Sequence, residues 1–167
     1  MKKFSLVTLS VMLFLSAFFA GSAISVTAKE PKILEFDTMV GVPDGMTGTK
    51  SPIRGINGGG IPWQLTSAKG ELKASGQLEI EVQGLVLATT GSNPSAFFRG
   101  LVSCLNSDGS VALPIVTAQF PATTGPASSG GGNALIEATV TLPHPCIAPI
   151  IFVTNGAGTA WFAVTGN

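Results

Sequence analysis

Glu35 and Asp37 stand two apart in a stretch whose apolar neighbours favour an extended chain. A strand there turns both carboxylates to one face, because side chains alternate along it. Paired carboxylates can serve acid–base work on a glycoside, one donating a proton while the other attacks or activates water. With Arg54 they make a candidate catalytic set for an extracellular hydrolase or isomerase. The same pair could hold a cation with Asp44. The plainer expectation is a structural ion pair between Arg54 and Glu35 or Asp37. Glu79 and Glu81 also share a face, but their neighbours mark that face as solvated.

Other reactive residues carry less. His144 is the sole histidine, so any Ser-His-Asp or Cys-His mechanism would pass through it. It sits between Pro143 and Pro145, and the sequence has no G-x-S-x-G elbow. A turn histidine beside a cystine is the simpler reading. The glycine runs at 58–60 and 130–132 lack the Lys-Ser/Thr ending of a phosphate loop. Asp44 and Asp108 lie in glycine-containing turns without the spacing of a calcium loop. No metal site and no cofactor is implied. Trp63 and Trp161 are candidate ligand platforms or interface anchors, although a tryptophan within a strand is more often core. Arg99 is flanked by Phe97 and Phe98 on a strand.

Cys104 and Cys146 are the only two cysteines. In an oxidising compartment they read as one disulfide. Its closed loop of about 43 residues corresponds to at most about 4 kcal/mol on the chain-entropy model.

The compartment is read from the N-terminus. Lys2 and Lys3 precede an apolar run from Phe4 to Ala20. Small, weakly polar residues follow, up to the first charges at Lys29 and Glu30. Val26-Thr27-Ala28 fits a signal-peptidase site. Residues 1–28 are therefore expected to be a signal peptide and 29–167 a single secreted or extracellular domain, with the periplasm or a cell surface as variants. The charge-free run is long enough to span a bilayer if it is retained. If it is cleaved, no stable membrane span is expected.

Without Lys2 and Lys3, seven basic residues face nine acidic ones. That balance excludes the electrostatic footprint of a nucleic-acid binder. Charged residues are only 11% of the chain, against roughly a quarter in a typical soluble domain. Such a surface resists self-association weakly.

What must position these residues is a set of strands. The mature chain shows period-two runs broken by Gly, Pro, Asn and Asp, and no long helical period. Strands are expected over 32–42, 78–83, 96–105, 111–120, 134–142, 147–154 and 160–165, with a shorter one around Trp63. Ser67-Ala68-Lys69-Gly70 reads as a hairpin turn. Pro149 is expected at a bulge or strand start. The fold class is all-β: an antiparallel β-sandwich of about eight or nine strands, with a closed β-barrel as the alternative.

Several stretches, among them Pro52-Ile53-Arg54-Gly55, Gly58-Gly59-Gly60-Ile61-Pro62-Trp63, Pro145-Cys146-Ile147-Ala148-Pro149-Ile150 and Ala160-Trp161-Phe162-Ala163-Val164, resemble those of a group of secreted bacterial proteins with no known activity. The resemblance implies an exported single domain with one disulfide and transfers no functional residue. Function is then expected to be binding or surface assembly, through self-association or an extracellular partner. The alternatives are the Glu35/Asp37 hydrolase and a barrel carrying an apolar ligand.

Overall fold

Strict alternation forms one sheet and continuous apolar runs form the other. The computed structural model describes residues 29–165; the leader expected over 1–28 lies outside them. In chain order the strands are β1 (Lys32–Phe36), β2 (Met39–Gly41), β3 (Asn57–Gly58), β4 (Trp63–Gln64), β5 (Ser67–Lys73), β6 (Gln77–Gln83), β7 (Val86–Leu87) and β8 (Ser92–Asn93). They continue with β9 (Phe97–Leu105), β10 (Ile115–Val116), β11 (Phe120–Pro121), β12 (Gly125–Pro126), β13 (Ala134–Thr139), β14 (Ile147–Asn155) and β15 (Ala160–Thr165).

The smaller sheet has the order β1-β5-β6-β13, antiparallel throughout. Leu78, Ile80 and Val82 of β6 point inward and are buried, while Glu79, Glu81 and Gln83 point out. The larger sheet runs β10-β9-β14-β15-β2, with β11 also on β9 and β3 parallel to the start of β15. Here burial is continuous: Ile151, Phe152, Val153 and Thr154 are all fully buried. The two sheets share one core and make a sandwich. Gly100 sets their approach, since a Cβ there would lie 3.1 Å from Leu78 Cδ2 and 3.2 Å from Ile80 Cδ1. Among the described residues no sheet closes into a barrel, so the architecture is the sandwich and not the barrel alternative.

Three local expectations change. The strand expected over 32–42 is two strands in different sheets: β1 joins the smaller, β2 the larger, and the chain crosses at Asp37-Thr38. Crossing lets one segment lace an open side of the sandwich. Ser67-Ala68-Lys69-Gly70 is not a turn but the first half of β5. Gly70 is there because a side chain would collide with the Glu79 carbonyl and the Phe36 ring. The actual hairpin turn follows at 74–76, closed by Gly76 N–H donating to Lys73 O at 2.9 Å. The 111–120 run does pair back on β9, but in pieces, and Pro114, which brings no N–H to the ladder, lies at the first break.

Pro149 stands at a break in register between Ile147 and Ile150 on β9, as its missing N–H requires. The cystine joins β9 to the corner before β14, with Cys104 and Cys146 Cα atoms 5.0 Å apart.

Candidate functional site

The solvent face of the smaller sheet carries most of the carboxylates. Register aligns Glu35 opposite Glu71, Glu71 opposite Glu79, and Glu79 opposite Glu137. Four glutamates therefore cross four strands in one row. Opposed like charges on neighbouring strands repel, and lysines from adjacent rows offset part of this. Lys32 Nζ lies 2.7 Å from Glu35 and 2.6 Å from Glu71, and Lys69 Nζ lies 2.9 Å from Glu81. Lys73 Nζ stands 3.5 Å from Glu71. Among the described residues, Glu79 and Glu137 have no cationic partner within ion-pair distance.

A shallow open groove of about 640 Å³ lies on this face, lined by Glu35, Asp37, Lys69, Glu71 and Glu79 among others. The sequence-expected pair thus shares a groove. It does not share a strand: Asp37 sits in the crossing between sheets, after β1 has ended.

The charges here are set for pairing. Hydrogen bonds from Lys32 hold the Glu71 carboxyl below the usual carboxylate range, and those from Lys69 and Gln83 do the same for Glu81. Lys32 is raised by its bonds to Glu35 and Glu71, and Lys69 by its bond to Glu81. A general acid needs the opposite shift, a carboxyl kept protonated near neutrality. Among the described residues, no three of His, Cys, Asp and Glu come together so as to hold a metal ion.

Arg54 is elsewhere. Its Nη1 donates to Ser103 O at 2.9 Å and its Nη2 to Ala148 O at 2.8 Å. The expected ion pair with Glu35 or Asp37 does not form. The two carbonyls lie on either side of the break in the β14–β9 ladder, one on each strand, and the guanidinium joins them. Partial burial lowers the Arg54 pKa. Arg99 has the same kind of role: Nε donates to Gly156 O at 2.8 Å and Nη1 to Thr117 O at 3.0 Å.

Neither tryptophan is an exposed platform. Trp63 stacks on Phe162 with centroids 3.8 Å apart and meets Phe98 edge-on at 6.4 Å. Trp161 is buried against Phe152. Both are core, as their places within strands suggested. His144 is exposed at the corner before Cys146. The Asp108 carboxylate is spent on its own turn, accepting from Ser110 Oγ at 2.6 Å and Ser110 N–H at 2.9 Å. Glu71 and Glu137 join the carboxylate row only through register, which no local pattern reveals. Arg54's partners had one local signal, a proline inside an apolar strand that must leave a ladder position unfilled.

Comparison with protein-family models, with curated proteins and with solved structures finds no match. The Cys104–Cys146 bond points to an oxidising, non-cytoplasmic location. No helix among the described residues is long and apolar enough to cross a membrane.

Proposed function

We propose that this chain is an exported, disulfide-linked binding or assembly module that works through its surface rather than through a chemical centre. The observation that carries the reading is an exposed apolar cluster at one end of the larger sheet. Val111 and Ile147 flank Leu105 across the sheet and are 45% and 44% exposed, and Leu113 beside them is 89% exposed. Clustered large apolar side chains on a surface with few charges favour contact with another protein surface. The residues that could have done chemistry support the same view. Arg54 is committed to backbone carbonyls, both tryptophans are core, and Glu35 is paired with Lys32.

The hydrolase reading keeps one favourable observation, the groove that Glu35 and Asp37 share. Its lining includes neither Arg54 nor either tryptophan.

Light scattering on the protein beginning at Lys29, from micromolar to millimolar concentration, tests the assembly arm. The expected result is concentration-dependent association that Leu113→Asp abolishes and Glu35→Gln leaves intact. A monomer throughout, unchanged by Leu113→Asp, overturns it.

A further inference from the structure

We infer that residues 49–56 form a strap that opens as a unit from the outer face of the larger sheet, and that Arg54 is its latch. The inference stands apart from the assembly reading and is tested separately.

The larger sheet is buried on both sides. Phe98 and Gly100 of β9 face the smaller sheet, since a Cβ at Gly100 would touch Leu78 and Ile80. Leu101 and Ser103 therefore face the other way, by strand alternation. Phe152 lies opposite Leu101, and the Trp161 ring packs on Phe152 with centroids 6.3 Å apart. The centre of this outer face is as dry as the inner one: Leu101, Ser103, Phe152 and Trp161 are all buried. The segment 43–62 reaches across it through Arg54, and Met46, Ile53 and Ile56 pack on the core.

The way this segment is tied down is uneven. Its base is closed firmly: Gly48 N–H donates to Gly59 O, Gly58 N–H to Gly48 O, and Gly59 N–H to Trp161 O, at 2.9, 3.1 and 2.8 Å. Beyond this base, over 49–56, the backbone bonds are local, Lys50 to Thr47 and Ile53 with Ile56 in both directions. Thr47 Oγ1 and Lys50 Nζ both donate to Asp44 O. Among the described residues, apart from Lys50, which bonds back to Thr47 and Asp44, only Arg54 makes hydrogen bonds that leave 49–56. A compact loop with its ends held together and one distal attachment can swing as a body.

Two further features bias it towards opening. Arg54 and Ala148, the donor and an acceptor of the latch, are the described non-glycine residues with left-handed backbone, at φ 47° and 45°. That conformation is strained for both. The buried side-chain polar atoms without a hydrogen-bond partner among the described residues are Ser103 Oγ and Trp161 Nε1, and both belong to this outer face. Water admitted by an open strap satisfies them. Against these stand the charge-assisted bonds of one guanidinium and the packing of Ile53 and Ile56.

Hydrogen exchange followed by mass spectrometry on the intact oxidised protein tests this without any variant. Amides over 49–56 are expected to exchange together, at least tenfold faster than those of β9 and β14. In Arg54→Ala their exchange rises by roughly a further ten- to hundredfold, the range for losing hydrogen bonds to a charged group. Arg54→Lys falls between, since an ammonium cannot reproduce the planar fork. Amides of β5 and β6 stay within about twofold throughout. If the strap exchanges at the rate of β9 and β14 in the unmodified protein, the inference is overturned. It is equally overturned if Arg54→Ala accelerates both sheets alike.

Discussion

The two sheets solve the burial problem in different ways. The smaller sheet keeps one face wet: Glu35, Glu71, Glu79 and Glu137 line up on it with Lys32, Lys69 and Lys73 around them. Its strands alternate, and its solvent side is held by surface ion pairs that contribute little each. The larger sheet buries both faces. One packs on the smaller sheet through Phe98, Val102, Ile151 and Val153, and the other lies under the chain's own 43–62 segment. The lesson is that a sandwich of this size gains a second apolar layer by folding a loop over a sheet. The polar cost is concentrated where that loop is latched.

The largest expected effect separates these two kinds of outer face. If the outer face of the larger sheet is true core, Phe152→Ala costs about 3–5 kcal/mol, the same as Phe98→Ala between the sheets. Urea denaturation of both variants checks it. A cost below about 1 kcal/mol for Phe152→Ala returns that face to the status of a surface and breaks the comparison.

The cystine comes next. Replacing Cys104 and Cys146 together by Ala is expected to cost about 2–4 kcal/mol. The loss falls on the sheet that carries the bond, so exchange accelerates first in β9 and β14. Acceleration beginning in β5 and β6 contradicts the assignment of the bond's effect to the larger sheet.

The smallest effects belong to the wet face. Glu71 and Glu81 are held below the ordinary glutamate pKa of about 4.3. Their ionised forms stabilise the fold above that value, and the contribution disappears as pH falls through the depressed folded values. Lys32 and Lys69 are raised. They contribute below the ordinary lysine value of about 10.4, and the contribution is lost as pH rises through the raised one. Lys69 is exposed and the other three are half-buried on an open face, so the effect is slight and falls with salt. Glu137→Gln, which removes one of two opposed carboxylates, raises the melting temperature slightly at low salt and not at 1 M salt. A drop in melting temperature shows that the row is held by something other than its charges.

How far residue patterns reached can be judged from particular elements. Leu78, Ile80 and Val82 against Glu79, Glu81 and Gln83 announce β6, and β14 and β15 announce themselves as continuous apolar runs. Pro149 foretold a break in β14. Asp37 shows the limit. Nothing local says that β1 and β2 part company there, because the crossing is decided by which sheet each half joins. Gly70 looks like a turn residue and is a strand residue, because its neighbours Phe36 and Glu79 are distant in sequence. Of the candidate site, the pairing of Glu35 with Asp37 survives as a shared groove. The loss of Arg54 from it depends on two carbonyls, 49 and 94 residues away in sequence.

By itself the sequence determined the class of fold, its strand-rich grammar, and the pair of cysteines that could bond. These follow from side-chain period and residue type, which act over a few neighbouring residues. The tertiary structure alone decided which strand each carboxylate faces and that a surface loop rather than solvent covers the second face of the larger sheet. Those outcomes depend on register and on contacts between residues far apart in the chain. Such contacts are chosen by the burial of the whole core and leave no periodic trace in any one segment.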